Sequence, residues 1–148
     1  MVISIEIPLD DDGFIEMECD YCKNRFMLHQ SVYDDESNLH FFCPVCGLPN
    51  SIDSFYCPEV LEAFQQKAAN YLDNEIQRQL ASTIKRFNKN GLIKLSLDTP
   101  QRTPEKELYK PSNEYVLSHQ YCCDVDVKVL YLDNQIGIYC PICGGTTL

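Results

Sequence analysis

The sequence predicts a mixed α+β protein, with antiparallel β-hairpins at both ends flanking one long amphipathic helix. Three observations carry that prediction. Cysteines gather in close-set groups towards the two ends, short runs beside them alternate apolar and polar residues, and residues 58–90 hold an apolar stripe of helical period. At 148 residues the chain has room for one domain or two very small ones. Its 45% apolar share is that of a folded protein, although the core must be built without tryptophan.

Charge draws the same three segments. Residues 1–57 hold eleven acidic and two basic residues, residues 58–90 four and five, and residues 91–148 seven and five. The predicted domains are an acidic N-terminal hairpin unit (1–57), the helix (58–90), and a strand, connection and C-terminal hairpin unit (91–148). A net charge of −10 argues against a surface built to grip phosphates, so protein is favoured over nucleic acid as a partner. Met1 is followed by VISIEIP rather than by a basic and then apolar leader. No run approaches the roughly 18 apolar residues of a membrane span. The expectation is an intracellular, cytoplasmic chain with no membrane partner, where paired cysteines are more often metal ligands than disulfides.

Taken in order, Val2 to Ile7 is apolar at almost every place, Pro8 ends it, and Asp10-Asp11-Asp12-Gly13 forms a turn. Phe14 to Glu18 alternates apolar with acidic residues, so a first hairpin between these two runs is expected. Pro58 suits a first helical position, Glu59 and Glu62 the first turn, and Lys85, Arg86 and Lys89 the end before Gly91. Leu61, Phe64, Ala68, Leu72, Ile76, Leu80, Ile84 and Phe87 form the stripe. Their mean step is about 3.7 residues rather than 3.5, so a long left-handed coiled coil is not favoured. The stripe needs another surface, in this chain or in a partner. Leu92 to Leu97 reads as a short strand, Asp98 to Ser112 as a surface connection, and Glu114 to Gln120 as an extended run.

The chemistry lies in the nine cysteines. Cys19-Asp-Tyr-Cys22 and Cys43-Pro-Val-Cys46 are two CxxC pairs with twenty residues between them. Two thiolates three positions apart on a tight turn face one point, and two such turns complete a tetrahedron around zinc. Arg25 to Val32 and Leu39 to Phe42 are the expected arms of a hairpin between the pairs, with Asp34 to Asn38 as its turn. The second pair recurs: Phe42-Cys43-Pro44-Val45-Cys46-Gly47 reappears as Tyr139-Cys140-Pro141-Ile142-Cys143-Gly144, an internal repeat. Ahead of it, Val125, Val127, Val129 and Tyr131 share one face. Asp133-Asn134 would turn the chain back through Ile136 to Tyr139.

The remaining ligand pair departs from the pattern, because His119-Gln-Tyr-Cys122-Cys123 contains no CxxC. His119 with one adjacent thiol makes a Cys3His set. HxxC spacing favours Cys122. Register favours Cys123, because Val127 and Val129 follow Cys123 as Phe26 and Leu28 follow Cys22. A further arrangement uses both thiols without His119. The candidate metal ligands are therefore Cys19, Cys22, Cys43, Cys46, His119, Cys122, Cys123, Cys140 and Cys143, for two zinc ions.

These residues resemble the zinc-ribbon group, small modules in which two zinc knuckles clamp one metal, over residues 14–48 and, with the altered first knuckle, 114–146. The resemblance implies a structural metal without implying an activity. With four candidate ligands at each site, no position is kept open for catalysis, so no enzymatic role is expected. Sequential sites are preferred to interleaved ones, which would close very long loops. Filled sites take the charge to about −13.

Other residues have ordinary explanations. Cys57, just before Pro58, could gain reactivity from a helix N-terminus, but it reads as a small apolar filler with no recognisable base nearby. His29 and His40 read as packing or surface residues. Arg78, Lys85, Arg86 and Lys89 complement a helix C-terminus. Asp10-Asp11-Asp12 and Asp34-Asp35-Glu36 read as solvated turns. The sequence thus points to a non-enzymatic protein-interaction module that docks through its helix stripe or exposed ribbon faces, or self-associates through the helix. An accessory nucleic-acid factor using the basic helix end is the alternative, and an enzyme using Cys57 or an open zinc a weaker one.

Overall fold

A computed structural model describes residues 2–90, 94–96, 98 and 102–146. The chain divides into two compact units, Met1–Ile5 with Leu61–Glu107 and Glu6–Val60 with Leu108–Leu148. The fold is mixed α+β with antiparallel hairpins and one long helix.

In the larger unit, β1 (Phe14–Glu18) pairs with β2 (Arg25–His29), and β5 (Tyr115–Gln120) pairs with β6 (Val125–Leu130). Both hairpins join through β2 and β6, where Met27 faces Lys128 and Leu28 faces Val127. The result is one four-stranded antiparallel sheet in the order β1-β2-β6-β5. The hairpins foreseen at opposite ends of the chain are thus parts of a single sheet. Val125, Val127 and Val129 are buried while Asp126, Lys128 and Leu130 between them are not, as the two-residue period of a strand requires. Phe26, Leu28, Val127 and Val129 meet Phe41, Phe55 and Ile138 in the core, and burying each such side chain contributes about 1.5–3 kcal/mol.

A short helix follows each hairpin, α1 (Gln30–Tyr33) after β2 and α3 (Tyr131–Ile136) after β6. The His29 ring caps α1 by accepting the Ser31 N–H at 3.2 Å. β3 (His40–Phe42) and β4 (Pro49–Ser51) form a second, two-stranded sheet around Cys43 and Cys46.

The pairings differ from those expected. Arg25 to Val32 does not pair with Leu39 to Phe42, and α3 occupies the place of the expected Asp133-Asn134 turn. Each cysteine turn is itself the hairpin turn, so strands pair across the turn and not across the gap. The shorter loop costs less closure entropy. Val2 to Ile7 is not a strand either, because β1 takes β2 as its partner. The Asp10 to Gly13 turn does form, closed by hydrogen bonds from the Gly13 N–H to the Asp10 carbonyl and from the Asp10 N–H to the Phe14 carbonyl. Ile7 and Leu9 pack on the core instead.

The smaller unit is built on α2 (Pro58–Asn90), 33 residues or about 50 Å of helix. Its polar side chains hold the extended flanking segments. Lys67 Nζ donates to the Ser4 carbonyl at 2.6 Å, Asn70 to the Thr103 carbonyl at 2.9 Å, and Asn88 exchanges two bonds with the Leu95 backbone. Gln66 Oε1 accepts the Lys106 N–H at 2.8 Å, while the Lys106 ammonium pairs with Glu62. The apolar stripe stays open: Leu61, Phe64, Leu72, Ile76, Leu80 and Phe87 are each 44–56% exposed. The strand expected at Leu92 to Leu97 and the stop at Gly91 fall largely outside the described residues, and residues 94–96 are not strand. Among the described residues no helix is long and apolar enough to cross a membrane.

Candidate metal centres

One turn is used four times. In the first, the Cys19 N–H donates to the Asn24 carbonyl at 3.0 Å and the Lys23 N–H to the Cys19 carbonyl at 2.9 Å. The same two bonds link Cys43 with Leu48 and Gly47, and Cys140 with Gly145 and Gly144, at 2.8–3.0 Å. The fifth residue is left-handed each time, with φ of 60° at Lys23, 75° at Gly47 and 71° at Gly144. The turn between β5 and β6 follows the same rule from Gln120, which pairs with Val125 and places Asp124 at φ 51°. Positions one and four of the turn carry thiols in the three regular copies. In the fourth, Gln120 fills position one, Cys123 holds position four, and Cys122 sits at the tip.

These turns bring eight thiols into two groups: Cys19, Cys22, Cys43 and Cys46, and Cys122, Cys123, Cys140 and Cys143. Within each group the sulfurs lie within 4.8 Å of one another. The Sγ atoms of Cys19 and Cys46 are 3.7 Å apart, those of Cys22 and Cys43 3.7 Å, and those of Cys122 and Cys143 3.5 Å. A tetrahedron with metal–sulfur bonds of about 2.3 Å has edges of about 3.8 Å. Both groups therefore have the spacing of a four-thiolate metal site, and they are sequential along the chain.

The second group contains both adjacent cysteines and not His119. Carboxylates take the imidazole: Nδ1 lies 2.7 Å from Asp126 Oδ1, and Nε2 lies 3.4 Å from Asp124 Oδ1. Its ring also packs edge-on against Tyr121, with centroids 4.6 Å apart. His29 and His40 lie outside both groups, His29 against Phe14 and Ser31, His40 against Phe42.

Thiols packed this closely resist ionising together. Burial raises the Cys43 thiol well above its ordinary range, and charge on Cys19 and Cys22 adds to that, against the opposing N–H groups of Cys46 and Val45. Cys123 is pushed up to about 12, first by desolvation and then by Cys143 and Cys140. Cys143 is drawn down to about 7, chiefly by the Gly145 N–H, which approaches its sulfur at 3.4 Å. A cation at the centre would offset this repulsion and let all four sulfurs of a group be thiolates at once.

The two groups are fastened to each other. The Phe42 N–H donates to the Pro141 carbonyl, and the Tyr139 N–H to the Pro44 carbonyl, both at 2.8 Å. The contact is reciprocal in its side chains too. A Cβ on Gly47 would lie 2.9 Å from the Tyr139 ring, and one on Gly144 2.7 Å from the Phe42 ring. Glycine is needed at both places for its φ and for this close approach.

Charged residues brace the sheet under the centres. Asp10 and Asp12 clamp Lys128 Nζ at 2.5 and 2.7 Å, and Lys110 pairs with Asp11. The acidic turn read as solvated does keep Asp11 and Asp12 exposed, while Asp10 and Asp12 also clasp β6 through Lys128. Burial opposes ionisation of Asp10, yet Lys128 and the N–H groups of Phe14 and Asp12 hold its carboxyl below the ordinary range. Arg25 binds Glu16 at 2.9 Å, Glu18 at 3.3 Å and Glu59 at 2.7 Å. Cys57 is buried beside this cluster, its thiol donating to the Glu16 carbonyl at 3.5 Å. Burial, with Glu16, Glu59 and Glu18 against Arg25, pushes that thiol up to about 12, opposite to what a nucleophile needs.

Sequence reasoning missed Gln120 as the anchor of the fourth turn. The signal was present, since anchoring on Cys123 as position four puts Gln120 where the other turns have cysteine. No family model, curated protein or solved structure matches the chain.

Proposed function

We propose that this is a zinc protein whose two metal ions are structural, and which works without catalysis by presenting surfaces to a protein partner. The observation that carries this reading is that each group supplies four thiols, enough to fill a tetrahedron and leave no place for water or substrate. Sulfur-only donors at tetrahedral spacing suit zinc, and the zinc-ribbon resemblance agrees with such a site. Two zinc ions on eight thiolates take the net charge from −10 to about −14, which disfavours a nucleic-acid role further.

The open stripe on α2 is the surface offered to the partner, or to a second copy of the chain. The test compares the zinc-loaded protein with a Leu72→Asp, Ile76→Asp double variant. Loss of a bound protein or of self-association in the variant, read by light scattering and by pull-down from the native host, supports the proposal. Unchanged behaviour, or salt-sensitive retention of DNA or RNA, contradicts it.

A further inference from the structure

We propose that the C-terminal thiol group is an exchangeable, oxidant-sensitive metal site, in which a peroxide joins Cys122 to Cys143, while the N-terminal group keeps its metal. The inference rests on the reading that both groups hold zinc, and deepens it by giving the two sites different tasks.

The irregular turn is the reason. Position one is fully buried in all four turns, at Cys19, Cys43, Cys140 and Gln120, each 0% exposed. The N-terminal group thus has two of its four sulfurs sealed in the core. In the C-terminal group glutamine occupies one sealed place, and the missing thiol is supplied by Cys122 at the tip, where the first turn has the exposed Tyr21. Cys122 and Cys143 are both exposed, only Cys140 is buried, and the two exposed sulfurs are 3.5 Å apart.

Exposure of thiolates governs both their loss to competing chelators and their oxidation. In the proposed step, Cys122 and Cys143 thiolates surrender two electrons to the O–O bond of hydrogen peroxide and form one S–S bond. The peroxide takes up two protons and leaves as two waters, and zinc departs unreduced as Zn2+. Two of the four donors remain, too few to close a tetrahedral site.

The experiment starts from the purified zinc-loaded chain treated with hydrogen peroxide, with released zinc read by a chromogenic chelator and disulfides located by peptide mapping. About one equivalent of zinc is expected at least roughly tenfold faster than the second, with a Cys122–Cys143 disulfide. Cys19, Cys22, Cys43 and Cys46 should still alkylate after unfolding. Moving the thiol back, with Gln120→Cys and Cys122→Tyr together, should slow the fast phase to the rate of the slow one. If that variant fails to fold, the peptide map of the native chain decides. Release of both ions at one rate, or a disulfide confined to any other pair, overturns the proposal. Absence of zinc from the purified chain would instead refute the reading on which it rests.

Discussion

The N-terminal and C-terminal halves run the same programme: a hairpin with a thiol turn, a short helix, then a second thiol turn. The ligands of their first turns differ at two positions, Cys19 against Gln120 and Tyr21 against Cys122. Together these two differences move a sulfur from a sealed place to an exposed tip and leave the backbone turn intact, since Lys23 and Asp124 are left-handed alike. The lesson is that the turn and the metal are separable. Strand pairing and buried side chains build the turn, and the ligand set is then read off its surface.

Breaking each half in turn tests this most strongly. Structural zinc supplies about 10–16 kcal/mol of binding free energy, so Cys43→Ser should abolish cooperative thermal unfolding and lose the N-terminal ion. Cys122→Ser should lose the other ion with a smaller loss of cooperativity, because only Cys140 of that group is sealed in the core, as checked by metal analysis and near-ultraviolet circular dichroism. Equal damage from both would mean that the halves are not distinct in this way.

Equivalent core positions come next. Phe26 and Val127 are both fully buried at the same place in their hairpins. Phe26→Ala should cost about 3–5 kcal/mol in urea unfolding, and Val127→Ala less, because fewer atoms are removed. The reciprocal clasp should respond evenly. Gly47→Ala and Gly144→Ala each force a Cβ into an aromatic ring at a left-handed φ, at about 1–3 kcal/mol apiece, and a large inequality would deny the reciprocity.

The two halves also hold their strand cations differently, Arg25 by three glutamates and Lys128 by Asp10 and Asp12 of the acidic turn. Lys128→Met leaves Asp10 half-sealed without its cation, and should cost about 1–3 kcal/mol at neutral pH. Burial works against the Lys128 charge, but Asp10 and Asp12 raise its pKa overall. Its contribution is therefore complete below the unfolded value of about 10.4 and lost as pH rises through the higher folded value. The urea midpoints of the native chain and the variant should converge at that alkaline end. Smallest of all, Leu72→Ser on the open stripe should change monomer stability by under about 0.5 kcal/mol, and a larger loss would mean that the stripe is covered in solution.

Periodicity made α2 legible, and CxxC spacing made Cys19, Cys22, Cys43, Cys46, Cys140 and Cys143 legible, because helix faces and tight turns are set by neighbours a few residues apart. Strand partners were not legible. β1 could pair with the run before it or with the run beyond Cys22, and the choice depends on tertiary burial of Ile7 and Leu9. The β2–β6 junction joins residues about a hundred positions apart, which no local pattern announces. His119 looked like a ligand by spacing alone, but its side chain lies with Asp126, its cross-strand neighbour once β5 and β6 pair.

The most direct test of the account is zinc K-edge absorption on the purified chain, combined with metal analysis. The account predicts two zinc ions per chain, each bound by four sulfurs at about 2.3 Å with no nitrogen in the shell. A chain that carries one ion or none, or a shell that includes histidine nitrogen, would contradict it.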